Sequence, residues 1–146
     1  MTDNAHLLSD IVQAARDGAE FYDAAAGEVS SPQLRDTFVR MAEAKRTLIA
    51  ALSGRLQMMG AEPPQTGTVR GALRKAYADL RAVLARRDEQ VYVAQLEEAE
   101  DRLLAQFEDA VAKTDNPEIR SQLQAHLPNV RACHDELRRL KQRPAA

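Results

Sequence analysis

Residues 31–46 read "SPQLRDTFVRMAEAKR" and residues 116–131 read "NPEIRSQLQAHLPNVR". An offset of 85 residues (116 − 31) lays one on the other, matching Pro32 with Pro117, Leu34 with Ile119, Arg35 with Arg120, Phe38 with Leu123 and Arg46 with Arg131, and farther on Leu52 with Leu137. Each stretch opens with a side chain able to accept from the free amides of a first helical turn, Ser31 or Asn116. A proline follows, its fixed φ suited to that turn. Apolar residues then recur at helical spacing. A helix-opening device used twice, each time after an earlier amphipathic run, reads as a duplicated helical hairpin. Two hairpins joined by a long connection make a four-helix bundle with one crossover.

Working outward, apolar positions 7/8, 11/12, 15, 18/19, 22, 25/26 and 29 keep that period and predict a first helix over about 4–29. The second runs over about 32–59, where "MGAEPPQTGT" breaks the pattern. A further amphipathic segment over about 68–86 carries Val69, Leu73, Ala76, Tyr77, Leu80, Val83 and Leu84 on one face and reads as a helix in the crossover, outside the bundle. Asp88 is a candidate N-cap for a helix over about 89–113, and the last helix covers about 117–142.

The 146 residues fit a single domain, 1–146, able to bury roughly 70% of its unfolded surface. Hydrophobic content of 45% without Trp and with 4% aromatics favours an all-α class. A net charge of −2 supplies no overall field toward nucleic acid or anionic lipid. The lone Cys133 excludes an internal disulfide and agrees with a reducing compartment. No signal-peptide pattern and no apolar run of about 18 residues is present, so the expected location is cytoplasmic, with no membrane association. No Ser/His/Asp arrangement, Gly-rich phosphate loop or CxxC motif points to an enzyme class.

The stretches "DGAEFYDAAA" (17–26), "GAEPPQTGTVRGALRKAYADL" (60–80), "EEAEDRLLAQFEDA" (97–110) and "VRACHDELRRL" (130–140) resemble a family of small bacterial proteins catalogued as ferritin-like four-helix bundles of unknown function. The resemblance spans almost the whole chain, and "GAEP" followed by "GALRKAYADL" is its most specific part. It implies a ferritin-like fold and superfamily membership, and brings no established activity with it.

Ferritin-like di-iron proteins take a Glu from each of two helices and a Glu-x-x-His from each of the other two. Here Glu43 is followed by Arg46 where His is needed, and the duplicated positions are Pro128 and Arg131. Glu20 and Glu43 both point away from the apolar stripes of their helices. The inward polar residues are others. Lys45 fills a gap in the stripe Leu34, Phe38, Met41, Leu48, Ile49, Leu52. Glu100 lies in the stripe of Leu96, Leu103, Leu104, Phe107 and Val111, His126 and His134 fall on the face of Ile119, Leu123, Val130, Cys133 and Leu137, and Tyr22 is on the buried side of the first helix.

Heights counted at about 1.5 Å per residue bring Lys45, Glu100, His126 and Tyr22 to the middle third, with His134 a turn beyond. Lys45 is then the partner of Glu100, a fixed positive charge where relatives hold a cation. Snorkelling to the surface is the other reading of Lys45, and an edge position facing water that of Glu100. Cys133 reads as a small buried hydrophobe, and Pro128 as a kink in the last helix.

Basic residues Arg70, Arg74, Lys75, Arg81, Arg86 and Arg87 precede an acidic block over 88–101, read as solvated faces that pair within the chain or across a dimer. Phe21 and Val39 lie off the stripes and need cover, from the crossover helix or from a second copy. The expected role is therefore a non-enzymatic interaction or stress-associated protein with a degenerate metal centre and no cofactor, forming a homo-oligomer such as a dimer. The alternative is an iron-, manganese- or zinc-binding or redox protein with a non-standard site at Glu100, His134 and His126.

Overall fold

The computed structural model describes residues 3–65 and 89–142. They form helices α1 (Asn4–Glu28), α2 (Pro32–Met58), α3 (Gln90–Lys113) and α4 (Pro117–Gln142), with no strand among the described residues. The expected crossover helix over 68–86, and the Asp88 cap, lie outside the described residues.

Local chemistry sets the helix ends. Asp3 Oδ1 accepts from His6 N at the start of α1, and Ser31 Oγ accepts from Leu34 N ahead of Pro32 at the start of α2. Asn116 Oδ1 accepts from the amides of Glu118 and Ile119 ahead of α4. In each case a side-chain oxygen satisfies amides that have no partner in the first turn. The end of α2 is closed by Gly60 at φ +78°, with Gly60 N donating to Gln57 O and Ala61 N to Leu56 O. That left-handed turn needs glycine, because a Cβ there meets its own carbonyl. Along α4, Pro128 sits inside an unbroken helix. Pro128 and Gln124, whose carbonyl loses its partner, are both exposed, so water can replace the missing bond.

Helix α1 packs most extensively on α2, and α3 on α4; α1 also contacts α3, whereas α2 and α4 touch only lightly. At one end of the bundle Asn4 bonds Thr114 and Asp115, and at the other Glu89 bonds Ser30 and Ser31, so α1 and α3 are antiparallel. Arg40–Glu136 and Arg55–Glu118 place α2 and α4 antiparallel in the same way. The start of α3 is consequently at the opposite end of the bundle from the finish of α2.

The core divides into two apolar clusters. One holds Leu8, Ile11, Val12, Leu52, Leu56, Phe107, Ile119 and Leu123; the other holds Tyr22, Phe38, Met41, Tyr92, Val93, Leu96 and Leu137. The seam between them falls between Ala42 and Leu48 on α2 and between Leu96 and Leu103 on α3. Lys45 and Glu100 occupy it. Phe21 is buried, edge-on to Tyr92 with ring centroids 6.3 Å apart. Val39 stays 48% exposed. Among the described residues no helix is long and apolar enough to cross a membrane.

Candidate functional site

The seam is a buried polar cluster drawn from three helices. Lys45 Nζ of α2 stands 2.8 Å from Glu100 Oε1 of α3, and the two side chains are 3% and 2% exposed. Tyr22 of α1 donates its hydroxyl to the same oxygen at 2.7 Å. These helices are held apart in a particular way: no Cα of α2 lies within 8 Å of one in α3, so the ion pair reaches across the bundle diagonal. Only a side chain as long as lysine can do this from α2. Its aliphatic stem passes α1 at Gly18, 3.9 Å from where a Cβ there would stand. The ammonium also lies 6.0 Å from the centroid of the Tyr22 ring, a favourable placement for a cation.

Removing an ammonium and a carboxylate from water costs several kcal/mol each, and only close pairing with further hydrogen bonds offsets it. Here both donors converge on Oε1, while Glu100 Oε2 is buried without a hydrogen-bond partner. Tyr22 responds to this environment. Burial, then the Glu100 charge, then the hydrogen bond to it raise its pKa well above the usual 10.0, so the phenol stays a donor.

Cys133 of α4 lies against this cluster. Burial pushes its thiol pKa up, with the Lys45 ammonium pulling the other way. A cleft of about 210 Å³ between α2 and α4 is lined by Ala44, Lys45, His126, Val130 and Cys133 among others, which is the consequence of the light contact between those helices. The sequence reading treated Cys133 as a hydrophobe alone; its position one helical step from Val130 and Leu137, level with Lys45, was the signal for the neighbourhood.

The histidines go elsewhere. His126 is half-buried on the cleft wall. His134 turns to the flank of α4 that packs on α3, where Nε2 contacts Asp101 Oδ1 and Nδ1 lies 3.1 Å from Asp135 Oδ1. Burial disfavours its charged form, but the Asp135 and Asp101 carboxylates outweigh that and raise its pKa. Among the described residues, the His, Cys, Asp and Glu ligand atoms that gather within 4.8 Å of one another are those of Glu97, Asp101 and His134, not the set Glu100, His134 and His126. Eight residues along a helix turn the side chain by about 80°, enough to send His126 and His134 to different neighbours. Glu97 and Asp101, an i, i+4 pair flanking Glu100, were read only as part of the acidic block.

Glu20 and Glu43 are exposed, and Arg46 bonds Asp23 at 2.5 Å and Glu43 at 3.3 Å on the α1–α2 surface. Neither glutamate faces the seam. A search of curated proteins finds no match to the chain. The family model described as Domain of unknown function (DUF2383) matches residues 3–113, which carry Tyr22, Lys45 and Glu100 and stop before α4, and the chain belongs to that family.

Proposed function

We propose that this protein is a ferritin-like four-helix bundle whose central cation position is taken by its own Lys45 ammonium, a non-enzymatic cytoplasmic protein that acts through interaction or in stress and self-associates. The observation that carries the reading is the Lys45–Glu100 ion pair at 2.8 Å with Tyr22 on the same oxygen, in the seam of the core. A fixed positive charge there repels a divalent ion and occupies the carboxylate it would need. The remaining donors of a di-iron centre do not fit: Glu20 and Glu43 face solvent, and Arg46 and Arg131 stand where Glu-x-x-His ligands are required. The single crossover implied by the ends of α2 and α3 supports the ferritin-like connectivity. The exposed Val39 on α2 supports an apolar contact with a second copy.

Elemental analysis of the full chain, purified without chelator, tests the reading. No iron, manganese or zinc that depends on Glu100 is expected. Near-stoichiometric metal that disappears in Glu100→Gln would overturn it.

A further inference from the structure

At the α3–α4 boundary, away from the Lys45 seam, lies a second polar group whose composition is that of a ligand set rather than of a solvated acidic face. Glu97 and Asp101 project one turn apart from α3, and His134 comes to them from α4. The nitrogen donor is built in: His134 is 8% exposed, and so is Glu97. A residue outside the set orients it, since the Asp135 carboxylate lies 3.1 Å from His134 Nδ1 and fixes which nitrogen faces Glu97 and Asp101. A carboxylate on the far ring nitrogen is the usual support of a metal-bound imidazole.

We propose that Glu97, Asp101 and His134 bind one divalent transition-metal ion of the zinc class, with a solvent molecule completing its coordination. The donor atoms lie within 4.8 Å of one another. A tetrahedral ion with bonds of about 2.0–2.2 Å needs donors about 3.4 Å apart. No pair of donors therefore has to close by more than about 1.4 Å, within the range of a rotamer adjustment at Asp101, whose side chain is 52% exposed. One imidazole and two carboxylates suit zinc and its neighbours better than calcium or magnesium, which prefer oxygen donors alone. The ion takes the place of the proton shared between His134 Nε2 and Asp101. It also displaces Lys141, whose Nζ stands 3.4 Å from Glu97 Oε2 and is half-exposed, free to swing into water.

The site is independent of the reading of Lys45, and one experiment separates them. Zinc chloride is titrated calorimetrically into the full chain and into Asp101→Asn, His134→Ala, Asp135→Asn and Glu100→Gln, each checked for helical content. One ion per chain is expected for the native protein. Asp101→Asn, at a half-exposed position where folding is not at risk, and His134→Ala should abolish saturation. Asp135→Asn should weaken binding by about ten- to a hundred-fold. Glu100→Gln should leave it intact. Absence of saturable binding, or binding unchanged in Asp101→Asn, would overturn the site; binding lost in Glu100→Gln but kept in Asp101→Asn would overturn it and the Lys45 reading together.

Discussion

Tyr22 has an environment that a sequence alone cannot price: its hydroxyl shares one carboxylate oxygen with an ammonium inside the bundle. Its inward place was legible from the stripe of α1, with Val12, Ala15, Ala19 and Ala26 on the same side. The partner was reachable by counting heights along the helices. The orientation of His134 was not, because a turn of tens of degrees decides whether a ring faces the seam or the α3 flank, and only packing fixes that turn. Because the folded-state pKa of Tyr22 is raised above the unfolded value of 10.0, its contribution to stability is fully present below pH 10.0 and is lost as pH rises from there toward the folded pKa. Denaturant unfolding at increasing alkaline pH should therefore show a fall in stability that Tyr22→Phe reduces. At neutral pH the same variant should lose about 1.5–3 kcal/mol, the range for a hydrogen bond to a charged group. An unchanged alkaline slope in Tyr22→Phe would show that the phenol is not held as described.

Helix starts with a capping side chain followed by proline were legible because the whole device is local: Ser31–Pro32 and Asn116–Pro117 each complete their bonds within one turn. The start of α3 was placed to within a residue, at about 89 against Gln90, but the chemistry that holds it is tertiary. Glu89, at the N-terminus of α3, does not cap that helix. Its Oε1 accepts from Ser30 N at 2.6 Å, Ser30 Oγ at 2.7 Å and Ser31 N at 3.4 Å, tying α3 to the α1–α2 turn. Burial alone would raise its pKa, but the Ser30 and Ser31 bonds outweigh it and hold the carboxyl below 4.5. A depressed folded pKa gives stability that is present above the unfolded value and lost as pH falls through the folded one. Acid titration of native protein and Glu89→Gln should show less pH dependence below about 4.5 in the variant, with lower stability at neutral pH. Identical acid profiles would remove this role from Glu89.

Over the whole molecule, the two hairpins meet through α1 with α3 and only lightly through α2 with α4. Among the described residues, the Lys45–Glu100 ion pair joins them across the diagonal, in the seam between two apolar clusters. The twice-used helix-opening device in the sequence pointed to two hairpins, and the packing of α1 on α2 and of α3 on α4 agrees with it. The device could not foretell that each helix would keep two neighbours, nor that the α2–α4 side would open a cleft onto Lys45 and Cys133. That side is lined by small and polar residues, Ala44, Thr47 and Asn129, which fill little of the space between helices. A buried pair of this kind adds less to stability than the apolar residues that could replace it, and breaking it from either side is severe. The most direct measurement is a double-mutant cycle in denaturant unfolding with Lys45→Met, Glu100→Leu and both. Each single change should cost about 3–5 kcal/mol by stranding its partner, and the double variant should recover most of that loss or exceed the native stability. Losses that simply add would mean the ammonium and the carboxylate do not hold one another, and the proposed replacement of a central cation by Lys45 would be wrong.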